Sequence, residues 1–347
     1  MRLDRSTDFR ALSRSARRAI LSLRLRGIFL CLALLQLTAC AVNPPLQLAD
    51  ISSRRQPVMV PAVPFYPQQK YQCGPAALAG VLGASGVAVV PGELTPEVYL
   101  PGRQGSLQVE LLAATRRAGR IAYLVGPRPA DLVAQLEAGI PVLVLQNLRT
   151  PHFPAWHYAV LVGFDAGSNQ FFLNTGRDRA KPVDARKFLR TWDWGGRWGM
   201  ESLIPGSPPP PAADAARFVA AVADFEGVAG PEAAAPAWRV ILDRWPDNPW
   251  PYLALGNQAQ ADARFEEAVE FYRRGVSHKP GNPALINNLA ATMAGLGCPD
   301  AAATLLRPEI NRLGDDSAWR PVLQATLEET ASRLEAGRAS CWKYTEP

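Results

Sequence analysis

The segment Gln68-Gln69-Lys70-Tyr71-Gln72-Cys73-Gly74-Pro75-Ala76-Ala77-Leu78 puts one cysteine after a polar run and directly ahead of a Gly-Pro pair that opens an apolar stretch. With Pro75 as the first residue of a helix reaching Leu82, its missing N–H costs nothing and Cys73 sits just outside the helix start. Free N–H groups and the positive end of the helix macrodipole then favour the thiolate, which is the nucleophilic form. Taken alone, Cys73 reads better as a small buried hydrophobe. The histidines tip the balance. There are three, His152, His157 and His278. His157 opens the strand-like run HYAVLVGF (157–164), where a sheet holds an imidazole rigidly enough for general-base work. A turn at Ala166-Gly167-Ser168-Asn169 folds the next run back and returns Asn174 beside His157, positioned to orient the ring. Asp165 is the alternative orienter, at the far end of the strand. Nucleophile, base and orienter thus come in the order Cys, His, Asn, a constellation for acyl transfer. The histidines are too few and too scattered for a zinc site and no Cys-x-x-Cys occurs, so no metal and no cofactor are expected.

These segments, CGPAAL after a glutamine, HYAVLVGFD, and a polar residue closing the following strand, together resemble the bacteriocin-processing cysteine peptidase family. Its papain-like domain cleaves double-glycine leaders, and the similarity is closest to exported lipoprotein relatives that carry tetratricopeptide repeats. It covers Val60–Ile204. The resemblance implies that Cys73 is the nucleophile, His157 the general base, and Asn174 the occupant of a position that usually holds aspartate. It also implies that Gln68, five residues before the thiol, supplies a side-chain amide to the oxyanion hole; Gln69 and Gln72 lie close enough to replace it. Asparagine orients an imidazole without lending it charge, as in Cys-His-Asn proteases. The implied reaction is attack of Cys73 on a peptide carbonyl, proton delivery to the leaving amine by His157, and hydrolysis of the thioester. The double-glycine preference is not carried over, because those peptidases act on transporter-bound precursors. The substrate is a peptide or protein of unspecified sequence. Two other functions fit the same residues: a non-catalytic peptide-binding adaptor, and a cysteine amidase acting on cell-wall peptides.

Around these residues the chain alternates helical and strand-like patterns. Leu107–Ala118 has apolar spacing of three and four, and Ala130–Ala138 is a short helix closed by Gly139. Runs at Ile140–Leu145, His157–Phe164 and Gln170–Leu173 read as strands. Helix first and sheet later, with hairpin-length gaps, predicts an α+β domain of papain-like type over 61–204. The tryptophan-rich stretch Thr191–Met200 is expected to pin a loop onto this domain, with a substrate groove as the alternative. PHFPAWH, ahead of His157, could form a cleft wall.

A polyproline spacer at 205–211 separates this unit from a second whose patterns are all helical. Between Pro249 and Pro280, the residues Tyr252, Leu255, Gly256, Ala259, Ala268, Tyr272 and Gly275 fall at the spacings of a tetratricopeptide repeat of about 34 residues. Ile286, Leu289, Ala290, Met293, Ala302 and Leu306 continue the phase forward, and Phe218, Phe225, Ala234 and Trp238 continue it backward. About three repeats over 212–334 make an all-α domain that recruits a protein partner or substrate.

The first 39 residues hold eight arginines and two aspartates ahead of the apolar run 28–35 and Leu37-Thr38-Ala39-Cys40. The run is too short for a mature membrane span. It resembles a bacterial lipoprotein signal with a lipobox, in which Cys40 is acylated and anchors the chain. A plain secretory signal is the alternative. Ala41 rather than aspartate after Cys40 points to the outer membrane, facing the periplasm, with 40–60 as a tether. In that oxidising compartment Cys298 and Cys341 are expected to pair, with two buried thiols as the alternative; 335–347 is a short tail. The formal charge of +6 lies wholly in the leader, since the rest carries 29 basic and 29 acidic residues. Charge therefore gives no reason to expect a nucleic-acid partner.

Overall fold

The computed structural model describes residues 46–334. The leader with Cys31 and Cys40, and the tail with Cys341, lie outside the described residues. Cys298 is disulfide-bonded.

The first domain is built on a seven-stranded antiparallel sheet. Its strands are β1 (Val58–Met59), β2 (Ile121–Leu124), β3 (Val142–Asn147), β4 (Trp156–Asp165), β5 (Gln170–Thr175), β6 (Asp178–Asp184) and β7 (Gly199–Leu203). The order across the sheet is β2-β7-β3-β4-β5-β6, with β1 paired to β4. β3 reads Val-Leu-Val-Leu-Gln-Asn and is buried along its whole length, as a central strand covered on both faces should be. Five helices accompany the sheet, α1 (Cys73–Ala84), α2 (Pro91–Val98), α3 (Gln108–Arg117), α4 (Pro129–Glu137) and α5 (Ala185–Asp193), with α2 packed on α1 and α3 rather than on the strands. This is an α+β arrangement, as the order of helices and strands in the sequence implies. α1 lies on β4, and glycine at 80 and 83 lets the Pro64 segment close on it, since a Cβ at Gly83 would lie 2.6 Å from Pro64 Cγ.

Seven helices follow: α6 (Ala215–Ala229), α7 (Pro231–Arg244), α8 (Pro249–Ala261), α9 (Phe265–His278), α10 (Pro283–Gly295), α11 (Pro299–Arg312) and α12 (Trp319–Leu334). First helices begin at Ala215, Pro249 and Pro283 and second helices at Pro231, Phe265 and Pro299, each advancing by the same 34-residue step. The caps repeat with them. Asp214, Asn248 and Asn282 each accept a backbone N–H of the helix they open. Close approach within a pair depends on small residues, for a Cβ on Gly256 would lie 2.3 Å from the Tyr272 ring.

The helical region does not hang from its spacer as a separate body. Ile121 and Tyr123 of β2 belong to the same apolar cluster as Phe218, Val222 and Phe225 of α6. Tyr123 packs on Phe218 with ring centroids 5.8 Å apart, its hydroxyl accepts the Asp214 N–H at 3.2 Å, and Arg116 pairs with Asp224 at 2.5 Å. Across from Tyr123, on β7, Glu201 is fully buried and neither of its carboxyl oxygens has a partner.

Candidate active site

α1 begins at Cys73 itself, with Gln72 at the capping position and Pro75 as the third helical residue rather than the first. The first four N–H groups of a helix lack intrahelical partners, so proline fits there as well as at the first position. Cys73 is therefore in the first turn, inside the ring of free N–H groups. The turn that delivers it holds Tyr71 in the left-handed region, with φ of +66°. For a non-glycine residue this costs about 1–2 kcal/mol, a strain the surrounding structure must offset. The residue after the thiol is glycine for a steric reason. A Cβ on Gly74 would lie 2.3 Å from the Ser106 hydroxyl, so the segment carrying Ser106 could not close on the helix start.

Backbone N–H groups of Gly74 and Cys73 at the helix start, and of Tyr158 on β4, favour the thiolate, but burial outweighs them and pushes the thiol up from its ordinary 9.0. Burial acts on His157 in the opposite sense, lowering it from 6.5. Both effects disfavour charge. Burial thus favours the neutral thiol and the neutral imidazole at these two positions.

Asn174 is not the residue that orients the imidazole. His157 Nε2 lies 2.7 Å from Thr175 Oγ1. Asn174 Oδ1 accepts the backbone N–H of Ala180 at 2.9 Å instead, bracing the β5–β6 hairpin. The reason is a β-bulge. From the turn, Asp165 pairs with Gln170, Phe164 with Phe171 and Gly163 with Phe172, but the register then shifts so that Leu161 faces Leu173 and Val160 faces Asn174. In a regular hairpin Asn174 would share the His157 face. The extra residue in β4 moves Asn174 to the opposite face and brings Thr175 to the imidazole, because side chains alternate with a period of two. The bulge falls where β1 crosses, and a Cβ on Gly163 would lie 2.3 Å from the Val58 carbonyl oxygen. Asp165 stays at the far end of β4, accepting from Gly167 N and Ser168 Oγ.

Gln68 bridges the ends of β4 and β5. Its Nε2 donates to the Tyr158 carbonyl at 3.2 Å, its Oε1 accepts the Gly176 N–H at 3.1 Å, and its own N–H donates to the Gly176 carbonyl at 2.8 Å. The second N–H of this amide is not used by these bonds. Gln69 also reaches the cleft, whereas Gln72 turns away to accept from Thr95 Oγ1 at 3.0 Å.

Cys73, His157 and Gln68 line one open cleft of about 1020 Å³. One wall is the loop ending in Pro154, Ala155 and Trp156, and another is Trp194-Gly195-Gly196. The tryptophan-rich stretch thus serves in two ways. Trp192 is buried and donates to the Trp198 carbonyl at 2.9 Å, pinning the loop, while Trp194 faces the cleft. The segment Arg103–Gln108 makes up a third side and went unnoticed in the sequence, as did Thr175, Tyr158 and the buried, unpartnered Ser106 hydroxyl. His152 is an exposed loop residue, and His278 stacks on Tyr252 in the helical domain.

Residues 60–197 match the model of the Peptidase_C39 like family. None of the curated proteins matches the chain. Among solved structures, a protein from Bacillus anthracis assigned as a C39-like peptidase is 18% identical, with TM-score 0.35, covering 43% of this chain and 98% of its own. A double glycine motif protease from an AMS/PCAT transporter, solved with its leader peptide, is 24% identical, with TM-score 0.34 and the same coverages, 43% and 98%. The peptidase domain of Streptococcus ComA is 18% identical, with TM-score 0.34, covering 41% and 99%. Over residues 60–197 the first domain is thus similar to the C39-like cysteine peptidases, and a helical repeat region follows it.

Proposed function

We propose that this chain is a lipid-anchored cysteine peptidase of the periplasm, held at the outer membrane through Cys40. In this reading His157 takes the Cys73 proton as sulfur attacks a peptide carbonyl. Thr175 accepts from Nε2–H and so leaves Nδ1 as the basic nitrogen, and the free N–H of Gln68 joins backbone N–H groups of the helix start around the oxyanion. His157 then protonates the leaving amine, and water hydrolyses the thioester. The observation that carries the reading is the gathering of Cys73, His157 and Gln68 in one cleft with the imidazole tied to Thr175. The helical region, read as tetratricopeptide repeats, presents a partner or substrate to the domain it packs against. The test is labelling by a peptidyl fluoromethyl ketone. Labelling at Cys73 that falls by about 10²-fold or more in His157→Ala supports catalysis. Slow labelling that ignores the histidine makes the domain a peptide-binding adaptor. Release of the protein from the membrane fraction by Cys40→Ala tests the anchor.

A further inference from the structure

The cleft carries charge of one sign. Lys70 and Arg103 are among its lining residues, and no aspartate or glutamate is. Neither cation forms an ion pair within the described residues; the Lys70 ammonium sits 4.9 Å above the Tyr71 ring centroid. Two further arginines adjoin lining segments in sequence. Arg177 follows the lining residue Gly176, and Arg149 lies on the loop that leads to Pro154, both likewise without an ion pair. Of the carboxylates next to lining residues, Asp178 is paired with Lys181 at 2.6 Å and Asp193 with Arg197 at 2.6 Å. The lining itself thus holds cations without a counter-charge.

Building on the peptidase reading, we infer that the cleft selects peptide segments with aspartate or glutamate beside the scissile bond, with Lys70 and Arg103 as the selecting residues. Arg103 offers a planar fork suited to a carboxylate, and Lys70 a mobile point charge on the side of Cys73. A basic segment would meet like charge with no acid to receive it. The aromatic walls, Trp156 and Trp194, supply sequence-tolerant contact, so charge is what the cleft can discriminate.

Three pools of internally quenched peptides separate the cases. They share one backbone sequence and carry Asp/Glu, Asn/Gln or Lys/Arg at the positions flanking the central bond. The acidic pool is expected to show kcat/KM about fivefold to tenfold above the neutral pool, and the basic pool to be poorest, as for a few partly exposed charge pairs. The preference should shrink between 0.05 and 0.5 M salt. In Lys70→Gln/Arg103→Gln, confirmed folded by its melting temperature, the acidic-to-neutral ratio should approach one. Equal cleavage of all pools, or a preference that survives the double substitution, overturns the inference. Binding of the same pools to Cys73→Ala, read by fluorescence anisotropy, keeps the two readings apart. Acid-selective binding without Cys73-dependent cleavage by the wild type removes the peptidase and leaves the selective cleft; cleavage without selectivity does the reverse.

Discussion

Thr175 Oγ1 lies 2.7 Å from His157 Nε2, one residue along β5 from the asparagine that a regular hairpin would place there. A hydroxyl in this position orients the ring but lends no negative charge to an imidazolium. Thr175→Val keeps the shape of the side chain and removes the acceptor. The expected result is a kcat about tenfold lower, the worth of one hydrogen bond in the transition state. Asn174→Ala removes the bond to Ala180 N and is expected to lower the melting temperature by about 2–4 °C, with kcat unchanged. Steady-state kinetics and thermal melts on the two variants check the assignment. A kcat loss in Asn174→Ala with none in Thr175→Val would restore the asparagine.

The pH profile follows from burial. His157 is held below 6.5, so it stays unprotonated and basic further into the acid range than a solvated histidine. Cys73 is held above 9.0, so the thiol persists further into the alkaline range. The rate kcat/KM should rise through a midpoint below pH 6.5 and hold a plateau across neutral pH. Iodoacetamide alkylation of Cys73 in His157→Ala should climb only toward a midpoint above 9.0. A preformed thiolate–imidazolium pair would instead give fast alkylation well below neutrality.

Gly74 is fixed by the approach of Ser106. Gly74→Ala places a methyl 2.3 Å from the Ser106 hydroxyl, so the Arg103–Gln108 wall must retreat from the nucleophile. At least about a tenfold loss of kcat/KM is expected, because misplacement of cleft elements by an ångström is felt strongly in turnover. Adding Ser106→Gly clears the space and should recover part of the loss. No recovery in the double variant would place the effect in the helix start itself.

How far the sequence could be read depended on periodicity. The helical repeats were legible because three copies hold a common phase, and the helix starts at Ala215, Pro249 and Pro283 keep it. Cys73 and His157 were legible because their chemistry is scarce in this chain. Thr175 was not, since one extra residue in β4 reverses which side of β5 meets the histidine, and that shift falls where β4 also pairs with β1, from a hundred positions earlier in the chain. The register near Gly163 is a tertiary fact. The helix start was misplaced by two residues for a local reason, proline being acceptable anywhere among the unbonded N–H groups of the first turn. The docking of α6 on β2 was hidden behind a polyproline segment that reads as a spacer, although Ile121 and Tyr123 are apolar on that face.

Opposite Tyr123 of that docked face, Glu201 is fully buried on β7, and its two carboxyl oxygens have no partner. Burial raises its pKa well above 4.5, so the folded protein keeps the carboxyl neutral over a range where the unfolded chain has already released the proton. The folded state then binds more protons than the unfolded one. Stability is unaffected below the unfolded value near 4.5 and falls as pH rises from there toward the folded value. Glu201→Met replaces the carboxyl by an apolar side chain of similar length and removes both the desolvation cost and the linkage. Removing a buried unsatisfied polar group is worth about 1–3 kcal/mol, so a melting temperature roughly 2–10 °C higher is expected at pH 8. The gain should be smaller at pH 5, where less of the proton-linked cost has accumulated. Thermal melts of wild type and variant at the two pH values decide it. A variant less stable than wild type at both would mean that Glu201 holds an internal partner, such as a buried water, that offsets its desolvation.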